Sequence, residues 1–331
     1  MRREVSLLLP KWLLFVTTQS TPSSTGSGDA ALERYDYSLY VITCFVWGTS
    51  WLALRMQLGT IAPEVSLVWR FALAGVLVFA WALWAGQRMR FALRDHALFA
   101  AMGFFIFSTN FLFFYYGGIE ITAGLLAVVF SLASIINFLI GITFMGQRAE
   151  PRRLAGAVLG ALGIGFLFWP EITGTTLNRD VLFGLGLCIC GTLFFCTGNV
   201  LSARAQKRGL PILATNAWGM LYGVIWLFVL AFVQGHTFAI EPTAEYIGSL
   251  VWLAVFSSVI AFWSYLTLLG RIGGARASYA TVIFPLIALA SSTLFEGYQW
   301  TVFAFIGVAL AIFGNVLVLG GGKRQPVNKG A

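Results

Sequence analysis

Windows of about 20 predominantly apolar residues, the length that crosses roughly 30 Å of hydrocarbon, alternate along the chain with short polar connections. Ten of them, over residues 38–57, 65–85, 96–117, 123–145, 152–170, 182–203, 212–234, 247–269, 274–294 and 300–320, predict ten membrane-spanning helices. The connections are too short to hold a separate soluble domain. The pattern also repeats itself, because the stretch from Tyr115 to Gly163 is echoed from Tyr265 to Gly314. Each copy runs from an aromatic helix end (Phe113 to Tyr116, then Phe262 to Tyr265) through a small-residue turn into a long apolar helix. A further helix follows, carrying Gly156 and Gly163 in one copy and Gly307 and Gly314 in the other. A repeat of this kind marks an internal duplication. Five spans per copy is an odd number, so the second copy enters the membrane with opposite polarity. The fold class expected is an all-α polytopic membrane protein, ten transmembrane helices arranged as two inverted five-helix repeats, 38–170 and 182–320.

Composition agrees. The chain of 331 residues is 59% hydrophobic and 10% charged, against about a quarter charged in an ordinary soluble domain. A net charge of +8 would suggest nucleic acid in a soluble protein. Here the basic residues gather in alternate connections: Arg88, Arg90 and Arg94; Arg148, Arg152 and Arg153; Arg204, Lys207 and Arg208; Arg271 and Arg276. Arg2, Arg3, Lys11 and Arg34 precede the first span, and Lys323, Arg324 and Lys329 follow the last. Only Arg179 falls in an opposite connection, and Arg55 and Arg70 sit in helices. The positive-inside rule then predicts an integral plasma (inner) membrane protein with both termini cytoplasmic and no nucleic-acid partner.

Residues 1–37 read as an N-terminal extension, disordered or surface-lying. Arg2 and Arg3 before the apolar run Val5 to Val16 have the look of a signal peptide, but Pro10 and Lys11 interrupt it. Residues 321–331 read as a cytoplasmic tail. Cys44, Cys188, Cys190 and Cys196 all lie in apolar spans, so they read as small packing residues and no disulfide framework is expected. His96 and His236 are far apart in sequence, and neither a metal site nor a cofactor is expected.

Polar residues inside spans are the candidate site. Span one holds Trp47, Gly48, Thr49, Ser50 and Trp51. Trp47, Thr49 and Ser50 offer stacking and hydrogen bonding to a solute, or Trp47 and Trp51 form a packed stripe. Arg70 lies about two turns into the span that Pro63 opens. An arginine at that depth faces the bundle interior or water, serving either a solute carboxylate or phosphate or as a pin to helix carbonyls. Asn110 in span three is a cavity candidate or an interhelical glue residue. Tyr115 ends that span, and Ser131, Ser134 and Asn137 share one stripe of span four. Asn199 in span six matches the polar cluster of span one when Arg204 is set against Arg55 and Pro211 against Pro63. Trp263 and Tyr279 complete the list in spans eight and nine. Pro285 predicts a helix break beside a cavity. Gly156, Gly160, Gly163, Gly307 and Gly314 read as helix-packing positions. No Asp or Glu is placed inside a span, since Asp95, Glu120, Glu150, Glu171 and Glu296 lie near ends, with Glu296 solvated in a short loop.

Taken together, these residues resemble the drug/metabolite transporter superfamily, specifically its EamA-type permeases. The resemblance covers about 38–320 and rests on Trp47-Gly48, Pro63, Arg70, Tyr115-Tyr116 with Gly118, and Ala123-Gly124. It continues through Gly156 and Gly163, Pro285, Phe295-Glu296-Gly297, and Gly307 with Gly314-Asn315. The chain departs from the family at Ile135, where a proline is expected, and at Gln147, where Glu is common. The resemblance implies a central cavity lined by spans one, three, four, six, eight and nine, and export or exchange of a small metabolite, most readily an amino acid or related compound. Its expected partners are that small molecule and membrane lipids, with the protein a monomer or a homodimer. Nucleotide-sugar carriage is the neighbouring alternative and would ask for more basic residues than Arg70 alone. A lipid scramblase or scaffold is another class. A membrane enzyme would need a nucleophile with a base, or paired acids within the membrane, and neither is visible in the sequence.

Overall fold

The computed structural model describes residues 34–145, 149–170, 179–272 and 280–320. The extension up to residue 33, Gln147, Tyr279 and the tail from residue 321 lie outside the described residues. Among the described residues every regular element is helical: α1 (Arg34–Arg55), α2 (Pro63–Trp84), α3 (Leu93–Ile106), α4 (Thr109–Glu120), α5 (Ala123–Ser131), α6 (Ala133–Met145) and α7 (Pro151–Leu167). Then come α8 (Arg179–Lys207), α9 (Ile212–Val233), α10 (Ala244–Val251), a π-helical stretch (Trp252–Ala261), α11 (Phe262–Ile272), α12 (Ala280–Phe295) and α13 (Val302–Gly320). One helix, or a run of abutting helices, lies over each predicted span, and α1 begins at Arg34, four residues before the expected start. Eight of these rods are long and apolar enough to cross a membrane. The other two, α7 with 17 residues and α12 with 16, sit at the short limit for a 30 Å core.

Local chemistry sets the ends. Pro63 and Pro151 open α2 and α7, where the first amide has no helical acceptor anyway. Thr243 caps α10, its hydroxyl oxygen accepting the Tyr246 N–H at 3.2 Å. Gly235, at φ 75°, closes α9. Its left-handed turn, which glycine adopts without steric cost, lets the His236 N–H donate to the Ala231 carbonyl at 3.0 Å, the Schellman closure.

Three rods are irregular in their middles. α3 gives way to α4 at Phe107 and Ser108, where Ser108 has φ −143° and ψ −83°. Its hydroxyl donates to the Gly103 and Phe104 carbonyls at 2.8 and 2.9 Å, so a side chain takes over acceptors at the break. α5 and α6 are separated by a turn at Leu132, beside Ser131, whose hydroxyl donates to Val128 O at 2.7 Å. The third irregularity is the π-helical stretch, in which the Ser258 hydroxyl donates to Leu253 O at 2.9 Å. Pro285, by contrast, sits inside α12, which runs unbroken from Ala280 to Phe295. The break expected at Pro285 is absent from the helix itself, and the first half breaks at Leu132 without any proline. A hydroxyl donating to a nearby carbonyl lies beside each interruption, while the proline ring is accommodated within α12.

The rods pack side by side: α7 along α13, α2 along α9, α12 against α1 and α5, and α8 against α3, α4, α5 and α6. α3 also meets α9, and the π-helical stretch touches α1 and α2. Large apolar side chains such as Val76, Phe183, Phe232 and Phe305 point outward. Arg70, Glu64, Asn110, Ser66 and Thr192 are buried. That inversion of the soluble pattern suits a lipid surround, and the chain is an integral membrane protein.

Because lipid is as apolar as leucine, rods associate through close backbone approach. A Cβ on Gly163 would stand 2.7 Å from Gly307 O, and one on Gly156 would stand 2.7 Å from Gly314 O. α7 and α13 therefore touch backbone to backbone along a glycine seam. Gly160 faces elsewhere, toward Ile135 of α6. A second seam, not anticipated in the sequence, joins Gly103 of α3 to Gly219 and Gly223 of α9.

Candidate functional site

Arg70 is the polar centre of the bundle. α2 carries it inward to 3% exposure, with its guanidinium carbon 4.4 Å from the Phe111 ring centre and 5.0 Å from that of Phe71. Such cation–π contacts partly replace lost hydration. Nη2 reaches Ser258 Oγ at 3.5 Å, and the side chain also interacts with the Tyr115 hydroxyl. Nε and Nη1 have no hydrogen-bond partner. The buried Tyr115 hydroxyl donates to Gln57 Oε1 at 2.6 Å, and the buried Gln57 Nε2 also has no partner. Buried donors without acceptors are costly. Unsatisfied N–H groups on Arg70 and on Gln57, both linked to Tyr115, form a donor-rich centre whose complement is an acceptor-rich, anionic group.

The other expected residues are distributed differently. Trp47 packs against Tyr265 with ring centres 5.0 Å apart and planes tilted by 44°, and its indole N–H donates to Ser257 O at 3.4 Å. Gly48 lets α1 approach α12, since a Cβ there would stand 2.6 Å from Ile287 Cβ. Thr49 donates back to Phe45 O at 2.8 Å, and Ser50 donates to Val46 O, so both hydroxyls are engaged by their own helix. Asn110 is buried with Oδ1 unpartnered. Ser134 donates to Asn315 Oδ1, and the Asn315 amide donates to Ser131 Oγ at 3.0 Å, which pins α13 to the α5–α6 rod. Beside that pin is a crevice of about 10 Å³ lined by Ser131, Thr281, Pro285 and Asn315, room for about one water. Asn137 lies on the exposed side of α6, and Asn199 is half-buried on α8. Trp263 packs 6.1 Å from Trp81. Among the expected solute contacts, the structure thus joins Arg70 and Tyr115, and adds Gln57 and Ser258, which sequence reading passed over.

Two acids also differ from expectation. Glu296 is 11% exposed at its side chain and is bonded rather than solvated. Its Oε1 pairs with Arg55 Nε at 2.9 Å, and its Oε2 accepts the Ala123 N–H at 2.9 Å and the Ser292 hydroxyl at 2.6 Å. Arg55 donates as well to the Gly118 carbonyl, so one ion pair clasps the end of α1, the α4–α5 turn and the end of α12. Glu64, one residue before the predicted second span and not weighed in the sequence, is 1% exposed at the start of α2. At the opposite end of the bundle, Asp36 pairs with Arg271, and Asp95 with Arg208 at 2.9 Å. Among the described residues no three His, Cys, Asp or Glu side chains converge on a metal position.

The description EamA-like transporter family matches this chain twice, over residues 36–169 and 182–320. A probable amino-acid metabolite efflux pump of Escherichia coli (strain K12) is 23% identical over 309 residues, 91% of this chain and 100% of that protein. An uncharacterized transporter of Archaeoglobus fulgidus is 24% identical over 279 residues, 84% of this chain and 96% of that one. Protein PagO of Salmonella typhimurium is 23% identical over 291 residues, 85% of this chain and 91% of that one. One solved crystal structure superposes with a TM-score of 0.62 at 16% identity, covering 86% of this chain and 96% of its own. With both matched segments together spanning most of the sequence, and relatives that include transporters and an efflux pump, the chain belongs to the EamA-like transporter family of the drug/metabolite transporter superfamily.

Proposed function

We propose that this protein is a secondary transporter that exports or exchanges a small carboxylate-bearing metabolite, an amino acid or close relative, by alternating access. Ten passes form two inverted five-helix repeats, 38–170 and 182–320, in the plasma (inner) membrane, with both termini cytoplasmic. Three features support the repeat. The family description matches two successive segments of similar length. The basic connections alternate along the sequence. The packing partners also interchange: if each rod of the first half is exchanged for its counterpart in the second, the α1–α12 contact becomes the contact of α8 with α5 and α6, while α2–α9 and α7–α13 map onto themselves. Two inverted halves give two mirror-related conformations, each open to one side.

The observation that carries the substrate class is the buried Arg70 with Nε and Nη1 unpartnered, next to Tyr115 and the unpaired Gln57 amide. A carboxylate accepts charge-assisted N–H bonds from guanidinium, and the Phe71, Phe111 and Phe107 rings nearby favour an apolar remainder. The relative named as an amino-acid metabolite efflux pump lends weight to the same class. In proteoliposomes loaded with a broad panel of labelled amino acids, flux above protein-free vesicles is expected. Arg70→Ala should remove it while leaving folded protein in the vesicles. Absence of flux across the whole panel would defeat the reading.

A further inference from the structure

Resting on that reading, we propose that Glu64 is a proton-binding site that couples solute movement to a proton. Its place is unusual for an acid. Glu64 follows Pro63 in the first turn of α2, where the helix dipole favours a carboxylate, yet it is 1% exposed. Oε1 accepts the Tyr116 hydroxyl at 2.7 Å. Oε2 is buried and has no hydrogen bond, and it stands 3.8 Å from His236 Nε2. Oε2 is a buried carboxylate oxygen with unfilled hydrogen-bonding capacity, and the nearest donor group facing it is the His236 imidazole.

The route to it is also present. The His236 side chain is 35% exposed, and its Nε2 lies 3.0 Å from Gln234 Oε1. An imidazolium there takes its proton from the aqueous side. When the gap closes, the Nε2–H bond breaks and the Oε2–H bond forms. Imidazolium and carboxylate become neutral imidazole and carboxylic acid, with no other reactant required.

Glu64 is faced from several sides. Tyr116 comes from α4 and His236 from the turn after α9. Tyr246 of α10 binds Ser66 Oγ at 2.9 Å and senses Glu241. The π-helical stretch brings Ser257 and Ser258 toward α2 but no charged side chain. Arg70 and Tyr115 lie farther along the same interior. The same turn after α9 is tied to α2 by Trp69 Nε1, which donates to Ala239 O at 3.1 Å. Once the proton has passed from His236 to Glu64 both groups are neutral, and the ion pair that ties α2 to that turn is lost. Loading with a proton thus favours opening of this end, which is what coupling to a proton requires.

Infrared difference spectra of the purified protein across a pH titration test the site without any solute. A protonated-carboxyl C=O band is expected in the native chain and should be missing from Glu64→Gln; a band that survives in Glu64→Gln overturns the proposal. His236→Gln should move the midpoint of that band, and an unchanged midpoint removes the histidine route and the proposal with it. It also serves as the variant of record if Glu64→Gln does not fold. In proteoliposomes with labelled amino acids, the ratio of pH-gradient-driven uptake to solute counterflow should fall about tenfold or more in Glu64→Gln, the equivalent of about 1.4 kcal/mol. An unchanged ratio overturns coupling through Glu64. Missing counterflow in the native protein would instead defeat the transport reading, while the infrared band still reports on Glu64.

Discussion

The α7–α13 seam and the interior around Arg70 are built on opposite terms. Along the seam, Gly156, Gly163, Gly307 and Gly314 bring backbones together until no side chain fits between them. Around Arg70, bulky rings and long polar side chains meet, and buried donors on Arg70 and Gln57 are left without acceptors. The seam has made every contact it can make, whereas the interior is incomplete by itself. A region that is complete is a scaffold, and one with unmet hydrogen-bonding capacity is where a ligand gains most, since the groups it satisfies are already desolvated. That contrast fits a rigid role for α7 and α13 and supports the proposed solute contact at α2, α4 and the π-helical stretch.

The strongest way to break this contrast is to fill the seam. In Gly163→Leu the added side chain meets the Ala311 N atom 2.6 Å from the Cβ position. Backbone cannot rotate aside, so the loss should exceed the roughly 1–3 kcal/mol of ordinary overpacking and appear as lost monodisperse protein on size exclusion. Gly165→Leu, two residues away with nothing within 4 Å of its Cβ position, should leave yield unchanged. The interior predicts the reverse separation. Arg70→Ala should cost about 1.5–3 kcal/mol of solute binding, or about 10- to 150-fold in affinity measured by scintillation proximity, as expected for a hydrogen bond to a charged group. The melting temperature should not fall, because removing an incompletely paired buried charge also removes its desolvation cost.

Two smaller tests sharpen the contrast at the ends of the bundle. Glu296→Gln weakens a carboxylate that accepts from Arg55, Ala123 and Ser292 together. A loss of about 1–2 kcal/mol is expected, read by thermal melting in detergent. Asp95→Asn should cost about 0.2–1 kcal/mol, since its partner Arg208 is 41% exposed at the side chain. If the Asp95 change proved the larger, the two ends would not differ in the way their burial indicates.

The helices were legible because apolar length is a one-dimensional property of the chain. Each predicted span carries a helix, and the seven-residue spacings of Gly156 with Gly163 and of Gly307 with Gly314 already put each pair on one helix face. Arg70 stood out because a charge deep in an apolar run has few bland explanations. What stayed hidden depends on covering segments remote in sequence. Glu64 follows a proline at a helix start and so reads as an end residue, yet Tyr116 and His236, both remote in sequence, close over it. Glu296 looked solvated for the same reason, until Arg55, 241 residues away, closed over it. Gly103 and Gly219 lie in different helices and make no repeat in sequence, so their contact leaves no periodic trace. Ser134 and Asn137 share a stripe in the linear pattern, but the turn at Leu132 precedes both, and one reaches Asn315 while the other faces outward.

The stretch Trp252–Ala261 is π-helical, its characteristic backbone hydrogen bonds spanning five residues instead of four. Shifting such a stretch by one residue exchanges one kind of bond for the other and leaves their number unchanged, much as a ruck slides along a carpet without stretching it. The part of the rod beyond it, with Trp263 and Arg271, would then turn and advance as one piece. A backbone built this way would work as a clutch, turning one end of a helix against the other without letting go of the chain between them.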